Sequence, residues 1–190
     1  MNWTELLKSK IEYTYGITDG LLDLVEDDTL DWKPSTGNNW MTTGQLLMHI
    51  CIACGAPIRG YVIGDWGLPE GINIDDLSPE EMGLPEGINI DDLSPEEMLP
   101  PAEKLPTLGS VTEAKEFLAE DKQLALDMLA KCDEDKLANE TASAPWDQTE
   151  IILGYRFLQM VAHLSLHKSQ LFYYLKLQGK PVNTSHLCGS

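Results

Sequence analysis

TEIILGYRFLQMVAHLSLHKSQLFYYLKLQ, residues 149–178, is the stretch that decides the fold. It holds about 30 residues and no proline, so a single helix over it would run roughly 45 Å at about 1.5 Å per residue. Gly179 and Pro181 end it, because glycine takes the left-handed cap position and proline cannot continue the ladder. His163 and His167 lie four residues apart, so their imidazoles leave one helix face about one turn apart. That spacing chelates a divalent metal when another element brings a third ligand.

Upstream, residues 111–132 (VTEAKEFLAEDKQLALDMLAKC) place Val111, Ala114, Leu118, Ala125, Met128 or Leu129, and Cys132 on one stripe, with Ser110 or Thr112 set to start the helix. Residues 3–25 put Trp3, Leu7, Ile11, Thr14, Ile17, Leu21 and Val25 at steps of three and four, a further amphipathic helix. Gly16 and Gly20 lie one turn apart in it and each costs about 1 kcal/mol of helix propensity; they either admit a close helix neighbour or are simply tolerated. Thr42 or Thr43 can cap a helix over Gln45 to Tyr61, and Pro57 predicts a kink or an early end near Ala56. Residues 133–148, with Pro145 and Trp146, read as a polar connection. Four amphipathic helices, no convincing alternating strand pattern and one long crossover predict an all-α four-helix bundle over residues 1–182, with 183–190 as a tail.

The crossover, residues 62–110, is too long and too rich in proline and glycine for an ordinary bundle connection. Within it, residues 67–82 and 83–98 are the same string, GLPEGINIDDLSPEEM. Ser78-Pro79-Glu80-Glu81 and its copy at 94–97 have the chemistry of a helix start: serine as cap, proline in the first turn, acids at the positive end of the dipole. Two copies are too few for a solenoid. An in-frame duplication looping over the surface accounts for them; a lid over the metal or a dimer contact is the sharper alternative.

Net charge is −18, from 31 acidic against 13 basic residues, and such a surface repels phosphate backbones, which argues against nucleic acid as a partner. Each copy of the repeat carries five acids and no base, so much of the acidity is local. No run approaches the ~18 to 20 apolar residues that a membrane span requires, and MNWTELLKSK lacks the zones of a signal peptide, so the expectation is a cytoplasmic protein without membrane contact. Cys51, Cys54, Cys132 and Cys188 are too scattered for a disulfide scaffold and are expected as free thiols.

A histidine on an amphipathic helix is ordinarily a half-buried residue with one hydrogen bond. Around this pair, however, Arg156, Met160, Gln170 or Leu171, and Tyr174 share the histidine face, so polar groups interrupt a stripe that a plain core would keep apolar. His49, with Gln45, Leu46, Ile52 and Ala53 beside it on the second element, is the natural third ligand. The rival Cys51-x-x-Cys54 thiols stand at about 200° and 140° of helical rotation from His49 and face away from it. They read as two small buried residues. His186 could serve as a fourth ligand only if the tail folds back.

Leu30-Asp31-Trp32-Lys33-Pro34, then Trp40-Met41-Thr42 leading to Leu46-Leu47-Met48-His49-Ile50, with His163, His167, Lys168, Gln170 and the Leu175-to-Gly179 exit, resembles the DinB-like (YfiT-like) family of metalloenzymes. The likeness covers residues 1–62 and 110–182. It implies an up-up-down-down bundle, often a homodimer, holding zinc, nickel or a similar divalent ion through His49, His163 and His167. Characterised members of that family include bacillithiol transferases and mycothiol-dependent maleylpyruvate isomerase, which implies a low-molecular-weight thiol as cofactor and a small-molecule substrate. The doubled acidic insert, and Lys168 where arginine is frequent, depart from the pattern.

The expectation is therefore a metal-dependent thiol transferase or hydrolase with an open three-histidine site, and Gln45, Arg156, Gln170 and Tyr174 as candidates to orient the imidazoles or the substrate. Its rivals are a non-catalytic helical stress-response protein with a structural or vestigial metal site, and an interaction surface made by the duplicated acidic loop.

Overall fold

The computed structural model describes residues 2–67, 102–145 and 147–189. Both copies of the duplicated segment, with their proposed helix starts, fall almost wholly outside these residues, as does Trp146. Helix α1 spans Trp3–Leu22, its first turn closed by a capping box between Asn2 and Glu5. The Glu134 carboxylate also accepts from the Trp3 and Thr4 amides, both at 2.8 Å, and places a negative charge where the helix dipole is positive. Leu7, Ile11, Thr14 and Leu21 are buried on the expected stripe, joined by Tyr15, Thr18 and Leu22. A Cβ at Gly16 or Gly20 would meet nothing within 4 Å, so these glycines are tolerated rather than required by a close neighbour.

The second element is two helices, α2 (Thr43–Ile50) and α3 (Gly55–Ile63). The sequence placed the break near Ala56, ahead of Pro57; it lies earlier, at residues 51–54, and Pro57 sits harmlessly in the first turn of α3. Asp121 explains the difference. Its Oδ2 accepts from the Gly55 amide at 2.9 Å and its Oδ1 from the Ala56 amide at 2.8 Å, so a carboxylate borrowed from another helix caps α3 where Cys54 supplies no side-chain cap. Tyr15 donates to the same carboxylate at 2.6 Å. A Cβ on Gly55 would stand 2.1 Å from the Asp121 carbonyl oxygen, which makes glycine the residue that permits the approach. Taken together, Thr43–Ile63 is long and apolar enough to cross a membrane by length and composition, contrary to the expectation that no run approaches that size; more than half of its most apolar stretch is buried inside the protein.

After a 3-10 turn at Ala102–Lys104, Ser110 caps α4 (Val111–Ala130), with Ala114, Leu118, Ala125, Met128 and Leu129 buried as the stripe requires and Asp121 among them. The polar connection then proves structured. It forms α5 (Glu134–Asn139) and an antiparallel hairpin, β1 (Thr141–Ala144) with β2 (Asp147–Ile152). Residues 149–152, expected as helix, are therefore strand, and α6 is Leu153–Leu177, 25 residues or roughly 38 Å. Arg156 holds them so: its guanidinium donates to the carbonyls of Ala142 (3.0 Å) and Thr149 and to the Asp147 carboxylate (2.9 Å), and lies over the Tyr61 ring.

The exit of α6 follows the sequence. Gly179 is left-handed (φ 81°), its amide bonds the Lys176 carbonyl at 3.1 Å, and the Lys180 amide bonds the Leu175 carbonyl at 2.9 Å. The tail is no loose end: α7 (Thr184–Cys188) packs on α1 and α6, and the buried Lys168 ammonium donates to the Leu187 carbonyl at 2.6 Å. Helices α1 and α3 each pack on both α4 and α6, α2 packs on α6, and Ile11, Leu47, Ile58, Leu118, Phe157 and Leu164 lie at the centre of the shared core. The fold is all-α, with the hairpin as its one sheet among the described residues.

Candidate metal centre

Helix α2 begins at a capping box in which Gln45 accepts from the Thr42 amide (2.8 Å) and donates to the Leu105 carbonyl (3.0 Å). That start fixes the helix so that His49, near its end, faces α6. There the one-turn spacing of His163 and His167 meets it. The three Nε2 atoms stand 3.4 Å (His49–His163), 3.0 Å (His49–His167) and 3.0 Å (His163–His167) apart, with the rings nearly edge-on to one another.

The opposite edges of the rings decide what those nitrogens are. His163 Nδ1 lies 3.0 Å from the Ala53 carbonyl oxygen, which can only accept, so Nδ1 carries the proton and Nε2 of the neutral ring is a bare lone pair. His167 Nδ1 lies 3.1 Å from Gln170 Oε1. An amide oxygen can only accept, so His167 Nδ1 carries the proton there and Nε2 of that ring is left as a lone pair in the neutral form. Tyr174, one turn further along α6, donates to the Met41 carbonyl at 3.0 Å. Trp32 and Trp40 close on the Tyr174 ring edge-on at 5.4 and 6.1 Å, which is the work done by the tryptophan-containing stretch before α2.

Two lone pairs therefore point at each other across 3.0 Å, with a third imidazole beside them. Protonating His49 or His167 is a disfavoured way to relieve the clash. Burial, then the neighbouring charges of His167 and His163, lower His49 to about 4, and burial likewise lowers His167. A cation among the three nitrogens does relieve it. Bonds of about 2.0–2.1 Å put tetrahedral donor nitrogens about 3.3 Å apart and right-angled ones about 2.9 Å apart, the range these atoms span. The donor set fits a borderline divalent ion, and the cluster could hold one.

The other sequence candidates have different employment. Gln170 touches His167, and Tyr174 spends its hydroxyl on the Met41 carbonyl. Gln45 serves the start of α2, and Arg156 serves the hairpin; neither contacts an imidazole. His186 accompanies α7, bonded to Asn183 at 3.0 Å, and does not join the cluster although the tail folds back. The cysteines are free, and Cys51, its thiol directed at the Ala114 carbonyl, is pushed up to about 12 by burial, so it is a protonated packing residue. The Ala53 carbonyl is the partner that sequence reading missed. Pro57, four residues on, was its available signal.

These features define a helical protein whose centre gathers three histidines in a form able to hold a divalent ion. The family model of the DinB superfamily matches residues 10–171, and the chain belongs to that superfamily. No curated protein matches it.

Proposed function

We propose that this protein is a metal-dependent enzyme of the thiol-transferase or hydrolase kind, with His49, His163 and His167 as the ligands of a zinc or nickel ion. The observation that carries the reading is the convergence of three Nε2 atoms whose ring partners leave two of them as lone pairs. When bound, a divalent cation supplies Lewis acidity that lowers the pKa of water or of a small thiol toward neutrality. The chain's own contribution is orientation. The Ala53 carbonyl and the Gln170 amide hold two of the three rings, and burial lowers the pKa of His49 and His167 and so favours their neutral, metal-binding form.

Among the described residues no fourth histidine, cysteine or carboxylate joins the cluster. Three protein donors with positions left over is the pattern of catalytic rather than structural sites, and it favours an enzyme over a helical protein with a structural ion. Leu166, Tyr173 and Leu177, exposed on α6, border a cleft of about 480 Å³ with Trp40 and Gln170. Its uncharged walls support a small uncharged substrate, and in a chain of net charge −18 they also support a homodimer, since two copies approach there with least repulsion.

Elemental analysis of the purified protein tests the reading. One divalent ion per chain is expected, lost in His163→Ala and in His167→Ala, and the spectrum of the cobalt-loaded form is expected to change when bacillithiol or glutathione is added. Stoichiometric metal in either variant refutes the ligand assignment, and a cobalt spectrum indifferent to both thiols refutes the thiol chemistry.

A further inference from the structure

The break between α2 and α3 has a chemistry that the packing of the core does not demand. In an unbroken helix the amides of residues 55, 56 and 57 would bond the carbonyls of 51, 52 and 53. Asp121 takes the first two amides, and Pro57 has none to give. The Ala53 carbonyl is thereby released from any helical partner, and it is this carbonyl that stands 3.0 Å from His163 Nδ1.

We infer that Pro57 and Asp121 are positioning residues for His163: by withholding three successive amides from the helix they free the Ala53 carbonyl to fix the tautomer and direction of that imidazole. Neither residue touches the ring. Pro57 removes the competing donor, while Asp121, buried on α4 and itself steadied by Tyr15, holds the start of α3 in the position that keeps the carbonyl pointed at α6. His167 is oriented separately, by Gln170, so the two rings are set independently. The inference rests on the proposed metal centre for its purpose, while its geometry stands on hydrogen bonds within the chain itself.

The test is nitrogen-15 NMR of the histidine side chains in the chelator-treated full chain, paired with a zinc titration. In the wild type His163 is expected as the Nδ1–H tautomer. Pro57→Ala returns the missing amide; the expected result is an appearance of the Nε2–H form at His163, no change at His167, retained helical content, and zinc binding about 10- to 100-fold weaker. An unchanged His163 tautomer in a folded Pro57→Ala variant overturns the inference. Should that variant not fold, Asp121→Asn, which leaves one acceptor oxygen for two amides and a phenol, is held to the same two readings. If the wild type binds no zinc, the metal centre is wrong, and the tautomer comparison still decides this inference.

Discussion

Replacing Gln170 by alanine isolates one of the supports of the centre. The change removes the acceptor 3.1 Å from His167 Nδ1 and lets that nitrogen exchange its proton with Nε2, the atom that must stay bare to bind a cation. A hydrogen bond of this kind contributes about 1–1.5 kcal/mol net, which is about 5- to 13-fold in affinity. Loss of a partner that orients a ligand ordinarily costs about 10–100-fold, so the expected weakening of zinc binding is about tenfold. Gln170→Glu keeps an acceptor and adds charge behind the ring, which raises the basicity of the imidazole, and is expected to bind at least as tightly as the wild type. The assay is a competition titration against a chromophoric chelator at neutral pH, with circular dichroism as the control for folding. Alanine and wild-type proteins of equal affinity would refute the reasoning that the amide sets the His167 tautomer.

Arg156→Ala is expected to damage the fold and spare the centre: two carbonyl bonds from a buried guanidinium are worth about 1.5–3 kcal/mol each, so stability falls by about 3–6 kcal/mol, and Tm by at least about 6 °C for a domain of this size. Thermal denaturation checks this, and a shift of a degree or two, or a loss of zinc affinity at a temperature where the variant is folded, would count against it. With any metal removed, His49 binds its proton only near pH 4, whereas the unfolded chain binds it near the ordinary histidine value of 6.5. Between those values the unfolded state holds more protons, so stability rises with pH through the window and falls as pH drops from 6.5 to about 4. His49→Gln is expected to flatten that part of the Tm-versus-pH curve, and a slope unchanged by the substitution would contradict the assignment.

The histidine pair and the end of α6 were legible because both are local. Four-residue spacing fixes a shared face, and Gly179 fixes a stop, whatever the rest of the chain does. His49 became legible through its motif and through the bundle that brings two helices together. The start of α3 was not, because the carboxylate that caps it is 66 residues distant in sequence and the proline that seemed to break the helix in fact belongs to its first turn. The hairpin was missed for a similar reason. Its residues alternate weakly, and Arg156, read as a candidate for orienting the site, spends its donors on main-chain carbonyls that only the folded chain brings within reach. Polar residues on one helical stripe announced that something polar is buried, but not which of them faced the imidazoles.

The two oriented rings are moored to oxygens of different kinds, His163 to the peptide oxygen of residue 53 and His167 to the side-chain amide of residue 170. A peptide oxygen is contributed alike by every amino acid. Alanine 53 could thus drift in identity across descendants while its anchoring function stayed intact, and a column-by-column comparison of kin would pass over that mooring; only a change that bends the main chain there would betray it.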